Sequence, residues 1–410
     1  AAERLRSRES SMSTKYPGGF IKAVVTPPTG GYSGSAPGIW TLEQAAYYQK
    51  MGLWPTVFSG AGLWSWGQNN FGQLGLNNRT TYSSPKQVGA LTTWLNIAAG
   101  YGHNVAVKTD GTLWSWGYNN RGQLGLGNTT RYSSPKQVGA LTTWLNITAG
   151  EYHTLATKTD GTLWSWGNNT YGQLGLGNRT SYSSPKQVGA LTTWLNIAAG
   201  NYHTLAIKTD GTLWSWGRNQ YGQLGLSNTF NYSSPKQVGA LTTWSKITAG
   251  NYHTLAIKTD GTLWSWGQNT YGGLGLDNRT NYSSPKQVGA LTTWLNITAG
   301  KYNTLAIKTD GTLWSWGGNN YGQLGLNNTT YYSSPKQVGA LTTWLNIAAG
   351  EYHTIAIKTD GTLWSWGSNV YGQLGLGNTT NYSSPKQVGA LTTWYTAAKS
   401  LGDFSIALKT

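Results

Sequence analysis

No cysteine occurs among the 410 residues, so neither disulfides nor thiolate metal sites contribute to the fold. Phenylalanine and methionine are scarce, at 5 and 2, which leaves the filling of the core to 23 tryptophans. Acidic side chains are few, 13 against 29 lysines and arginines, for a net charge of +16. With so few carboxylates, the closely spaced acid and base pairs that hydrolysis uses are not expected. Serine is abundant, yet there is no Gly-x-Ser-x-Gly elbow and no phosphate loop. Neither enzymatic activity nor a cofactor is expected. No apolar run approaches the roughly 20 residues that span a bilayer, and the first residues lack the apolar stretch of a signal peptide. Membrane insertion is not expected either.

Repetition dominates the rest. Trp-Ser-Trp-Gly begins at Trp64, Trp114, Trp164, Trp214, Trp264, Trp314 and Trp364, a spacing of 50 residues without insertion or deletion. Such a period is the mark of a propeller or solenoid. Within the copy 150–200, Tyr152 to Thr159 and Thr162 to Gly167 flank Asp160-Gly161, the residue pair of tight hairpins. Ser183 to Val188 and Trp194 to Ala199 read as a third and a fourth strand, with Pro185 marking the third as an edge. Four antiparallel strands make one propeller blade. The C-terminal segment Ser405-Ile-Ala-Leu-Lys-Thr410 matches Thr354 to Thr359 but no Asp-Gly follows it, and its hairpin partner stands at Leu63 to Gly67. Pairing the two chain ends would close a ring of seven blades and remove its open edges. The fold class expected is therefore all-β, a seven-bladed propeller over residues 59–410.

The repeated Asp-Gly-Thr-Leu-Trp-Ser-Trp-Gly, Tyr-Gly-Gln-Leu-Gly-Leu-Gly, Ser-Pro-Lys-Gln-Val and Ala-Gly-x-Tyr-His-Thr-Leu-Ala-Ile resemble the repeat of the regulator of chromosome condensation. That resemblance spans about 350 residues and implies a seven-bladed propeller. It leaves function open, since similar propellers act as exchange factors for a small GTPase, ultraviolet photoreceptors, β-lactamase inhibitors and adhesion or scaffold modules.

Residues 1–58 differ in kind. Met12-Ser-Thr-Lys-Tyr-Pro reads as a natural start, which would make residues 1–11 upstream sequence. A Pro/Gly/Ser linker at 27–38 precedes a capping-box pattern at Thr41 that opens a short helix over about 42–51. The stretch from Ser35 to Pro55 resembles a leader on structural and fibre-like proteins of marine tailed bacteriophages. It implies an anchoring arm, with Trp40, Leu42, Tyr47, Tyr48 and Trp54 as its contact residues. Such an arm would join other virion proteins and offers a route to oligomers.

Each copy has one histidine position (His103, His153, His203, His253, His353). The equivalent blade positions lie far apart, so the expected role is a hydrogen bond between neighbouring blades rather than a metal site, and no metal is expected. The Asp-Gly aspartates are expected to be turn residues. Glu151, Asp277, Glu351 and Asp403 form no recognisable pair. Both tryptophans of Leu-Trp-Ser-Trp are expected to face a neighbouring blade. Each copy carries two lysines against one aspartate, so the positive charge is spread round a ring, which argues against a specific nucleic-acid partner.

Differences between copies gather at loops. Arg79, Tyr101, Tyr118, Arg121, Arg131, Arg179, Arg218, Phe230, Arg279, Lys301 and Tyr331 stand where the copies diverge, and such arginines and aromatics are the usual anchors of an interface. The expected function is a virion structural or binding protein of a tailed bacteriophage, located on the particle, whose loops contact a host surface glycan or protein, or another virion protein. The alternative is an extracellular or cell-surface bacterial binding propeller, inhibitor-like or adhesive, with a GTPase exchange factor weakest.

Overall fold

The computed structural model describes residues 60–410, and the arm with its five contact residues and its helix lies outside them. The described residues form twenty-eight strands and no helix, grouped in seven four-stranded antiparallel sheets. The first blade runs Trp94–Ala99, His103–Lys108, Leu113–Gly117, Tyr132–Gln137. Its first strand is the innermost, because equivalent strands of neighbouring blades touch one another around the axis.

Local chemistry sets each hairpin. Asp110 Oδ1 accepts bonds from the Thr112 amide (2.9 Å) and hydroxyl (2.6 Å), and Thr112 Oγ1 in turn accepts from Trp114 Nε1 (2.9 Å). Gly111 has φ +77°, and a Cβ there would lie 2.0 Å from the Thr142 carbonyl oxygen, so only glycine fits. The outer strand Tyr132–Gln137 pairs at Tyr132 and again at Lys136, with the register broken between Ser115 and Gly117. Pro135, which has no N–H to give, falls in that interruption.

The expected grouping of strands needs one correction. Trp194–Ala199 does not complete the blade whose hairpin precedes it; it pairs with His203–Lys208 and opens the next blade. A three-residue turn links those two strands, whereas Val188 to Thr193 crosses from the outer strand of one blade to the inner strand of the following one. The shortest connection therefore decides the pairing.

Closure is as expected, with two strands from each chain end. Trp394–Ala397 and Phe404–Lys409 are the inner pair, Gly62–Gly67 and Tyr82–Gln87 the outer pair, and Leu63 stands opposite Leu408. The core lies between blades. Trp144 and Trp166 pack on Val105, Val107, Leu113 and Val138 of the preceding blade, and Trp144 meets both Trp164 and Trp166 at 6.1 Å in edge-to-face contacts. The buried indole Trp116 also donates to the Gln73 carbonyl of the blade before it (2.9 Å), and Trp66 repeats this bond across the closure to Gln373. The other tryptophan of each pair is only half-buried, its ring capped by a lysine, as Lys158 Nζ lies 3.8 Å from the Trp164 ring.

Candidate functional site

Antiparallel register sends the loops to two opposite faces. Residues 109–112 and 138–143 leave the sheet at the end where Trp94 opposes Lys108, while residues 100–102 and 118–131 leave at the end where His103 opposes Gly117. Lys-Thr-Asp-Gly-Thr and Val-Gly-Ala-Leu-Thr-Thr read the same wherever they recur. All eleven candidate loop residues lie on the other face.

The structure divides them into a rim and a collar. Arg79, Arg121, Arg179, Phe230 and Arg279 are exposed, Phe230 by 71%. Tyr101, Tyr118, Arg131, Arg218, Lys301 and Tyr331 are half-buried and engage aromatic rings. The arginine carbon of Arg131 lies 5.1 Å from the Phe71 ring and 4.7 Å from the Tyr118 ring, and its Nε donates to Asn120 Oδ1 (3.0 Å). Arg218 rests over Tyr171, Tyr202 and Tyr252 at 5.1 to 5.7 Å. Lys301 lies over Tyr302 and Tyr352, and Tyr331 touches Tyr271 and bonds Asn320.

Tyr152, Tyr202, Tyr252, Tyr302 and Tyr352, which repeat between copies and so do not stand out in the sequence, complete the collar with Tyr101. Ring centroids are 5.9 Å apart for Tyr101 and Tyr152, 6.4 Å for Tyr152 and Tyr202, and 6.3 Å for Tyr252 and Tyr302. In the first blade glycine stands in the tyrosine's place: a Cβ on Gly102 would meet the Phe71 ring at 2.8 Å.

The acids are also brought together, contrary to the expectation that they form no pair. Glu351 accepts a salt bridge from Lys301 Nζ (2.6 Å). Burial opposes the Lys301 charge, but bonds to Glu351 and Tyr352 hold its titration above the ordinary range. Burial raises Glu151, while hydroxyls of Tyr202 and Tyr152 bond its carboxylate and Glu351 repels it. Asp403 is pushed up to about 6 by burial and then by Glu351. These carboxylates converge because they occupy the turn after the inner strand, the loop nearest the axis. In the sequence Glu151, Lys301 and Glu351 each follow an Ala-Gly pair, but the radial position that makes this equivalence matter is not visible there. Asp277 sits elsewhere, at φ +58° in an exposed turn.

Beneath the collar the histidines tie blades, as expected. His103 Nε2 bonds Thr154 Oγ1 at 3.0 Å, and His353 bonds Ser405 Oγ across the closure at 2.9 Å. Burial pushes His103 down to about 3, so these rings stay neutral. Asn303 replaces one histidine and its amide is buried without partners. Lys399, from the closing blade, reaches across the axis: its Nζ donates to the Ala199 carbonyl (3.0 Å) and to that of Ala249, and burial lowers it to about 7. Among the described residues no group of histidines and carboxylates suits a metal ion, and no helix is long and apolar enough to cross a membrane.

The regulator of chromosome condensation (RCC1) repeat model matches seven stretches, 61–107, 110–157, 160–207, 210–257, 260–307, 310–357 and 360–408. Among solved structures the chain resembles human WBSCR16, at 22% identity and a TM-score of 0.77, covering 86% of this chain and 99% of that one. It also resembles Prp20p of Saccharomyces cerevisiae, described with its binding to Gsp1p and histones, at 22% identity, a TM-score of 0.78 and coverage of 86% and 92%. At such identity the likeness speaks for the fold. No curated protein sequence matches the chain.

Proposed function

Since this chain belongs to the regulator of chromosome condensation repeat family, we propose that it is a binding propeller carried on the particle of a tailed bacteriophage. In this reading residues 12–58 anchor it to other virion proteins. The rim and collar then meet a host surface glycan or protein, or a neighbouring virion protein. One observation carries the binding role: the loops on one face read the same wherever they recur, in six blades for the Asp-Gly turn and in seven for Val-Gly-Ala-Leu-Thr-Thr, whereas those on the other face differ and concentrate arginine and tyrosine. Uniform drift over exposed loops would have altered both faces. The virion setting is supported by the resemblance of residues 35–55 to phage leaders. The histidine–hydroxyl contacts among the described residues, such as His353 with Ser405, are buried between blades where no substrate reaches them, which favours recognition over catalysis.

Two measurements test this. Mass spectrometry of purified particles should find the chain, and its absence there would leave the cell-surface reading in its place. The full chain should adsorb to candidate host cells, and a variant with Arg79, Arg179, Phe230 and Arg279 replaced by alanine should adsorb less and with a weaker salt dependence. Equal adsorption at every salt concentration would reduce the face to a spacer.

A further inference from the structure

We infer that the invariant face is a self-association surface, on which two copies of this chain meet face to face with the exposed leucines of one entering the clefts of the other. The inference concerns the face opposite the rim and collar and does not depend on what those bind.

Large apolar side chains are unevenly exposed. Of fifteen that stand exposed among the described residues, eleven are leucines at this end of the propeller. Seven of them, Leu91 to Leu391 at every fiftieth position, form an outer ring, each 47 to 49% exposed. Leu145, Leu195, Leu295 and Leu345 are the second residues of innermost strands, which begin at this end, and they stand round the axial mouth. An apolar patch of this extent marks an interaction site. Packing within one chain does not call for it. The run Gly89-Ala90-Leu91-Thr92 is exposed throughout, yet it recurs unchanged in all seven copies, whereas exposed positions on the other face diverge.

A cleft of about 470 Å³ lies beside Leu341 where two blades meet, walled by Leu326, Val338, Trp344, Trp364 and Pro385. The corresponding residues are the same at all seven junctions. Projecting leucine and apolar cleft thus repeat side by side round one ring. A surface that carries both is self-complementary, as a two-fold interface between identical chains requires.

Charge selects the same partner. A chain of +16 repels its own copies on most approaches. On this face six aspartates, Asp110 to Asp360, are exposed, and seven lysines beside them lie over tryptophan rings at 3.7 to 4.5 Å, with Lys246 at the axial mouth. The two signs are nearly balanced, so two such faces can approach, and a small rotation about the common axis sets carboxylates against ammonium groups. Insertion into a lipid surface would instead bury the carboxylates along with the leucines, at a large desolvation cost.

The test is sedimentation of the full chain over a range of concentrations, where a dimer of twice the chain mass is expected. Replacing all seven outer leucines, Leu91→Gln through Leu391→Gln, should raise the dimer dissociation constant at least about a hundredfold. Leu→Met at the same positions keeps an apolar side chain and should raise it less. Melting curves check that each variant folds, and Leu241→Gln with Leu341→Gln provides a milder variant with a smaller loss in the same direction. Replacing Arg79, Arg179, Phe230 and Arg279 by alanine on the opposite face should leave the dimer intact. A full chain that stays monomeric at every concentration would overturn the proposal, as would a dimer indifferent to both glutamine variants, whose contact must lie elsewhere in the chain. Loss of the dimer in the rim variant would overturn it too. So would leucine-dependent flotation of a monomer with vesicles of phosphatidylcholine and phosphatidylglycerol, which would make the face a lipid-binding one.

Discussion

The two faces of the propeller are built by the same strands and differ in what their loops are for. On the invariant face each loop solves a backbone problem: Asp110 caps a turn, Gly111 fits where no Cβ can, and Lys108 lies over Trp114 at 3.8 Å. Each is reproduced wherever the motif recurs because the constraint recurs. That face also holds seven leucines, Leu91 to Leu391, each nearly half exposed. The variable face keeps what its turns require, such as Asn119, Gly125 and Asn128 and their equivalents, with the tyrosine and the histidine ties in most blades, and lets the residues between them change. Identity between blades thus measures packing constraint, and divergence measures release from it.

Breaking the framework should cost most. Deleting Phe404–Thr410 removes the strand that pairs with Gly62–Gly67 and buries Phe404, Ile406 and Leu408. Loss of three large buried side chains and a ladder costs several kcal/mol, about 2 to 5 for each such side chain. The truncated protein should therefore unfold near ambient temperature by circular dichroism. Melting at the wild-type temperature would show that the ring does not close as described.

The acids of the two faces should answer pH in opposite senses. Bonds from the Thr112 hydroxyl and amide hold Asp110 below its ordinary value, so its stabilisation is present above pH 4 and lost as pH falls through the folded value. Asp403 is the reverse: raised to about 6, it favours folding most below its unfolded value and loses that contribution as pH rises through 6. The gap corresponds to at most about 3 kcal/mol at neutral pH. Asp403→Asn should raise the melting temperature at pH 7 and leave it almost unchanged at pH 3.5. Asp110→Asn should lower it at pH 7 only. Chemical denaturation across pH checks both, and parallel pH profiles for the two variants would erase the contrast.

A smaller effect is expected where a tie has been lost. Asn303 cannot reach Thr354 as histidines reach their threonines elsewhere, and both amide atoms are buried without partners. Asn303→His should restore the bond and remove two orphan groups, a gain of about 1 kcal/mol. An unchanged midpoint in urea would mean that water already serves the asparagine.

Much of this was legible beforehand, for identifiable reasons. A 50-residue period with Asp-Gly turns leaves few options besides blades, and the unfinished hairpin at Thr410 pointed to Leu63. The phase of the blades was missed because four strands in sequence can be grouped in more than one way, and only loop length near the axis decides. The collar was missed for a deeper reason. Its tyrosines repeat like framework, so comparing copies could not single them out, and Glu151, Glu351 and Asp403 lie 52 to 252 residues apart. A radial coordinate would have singled out Glu151 and Glu351, which follow Ala-Gly at the innermost turn, whereas Asp403 follows Leu401-Gly402 and stands in the tyrosine's place. Lys399 gave no signal, since its reach across the axis depends on the closing blade departing from the repeat.

The smallest effect belongs to the rim, and it sharpens the comparison of faces most directly. Arg79, Arg179, Phe230 and Arg279 are exposed, and among the described residues their side chains make no salt bridge or ring contact. Replacing each with alanine should change stability by no more than about 0.5 kcal/mol, as for surface sites without special roles. On the invariant face the comparable small change, Gly111→Ala, meets a carbonyl at 2.0 Å and a left-handed φ, and should cost about 1 to 3 kcal/mol. The ratio of these effects, measured by urea midpoints in the same protein, tests the rule that divergence marks release from packing. Rim substitutions as costly as Gly111→Ala would mean that those loops diverged under structural constraint, and the argument for a binding face would lose its footing.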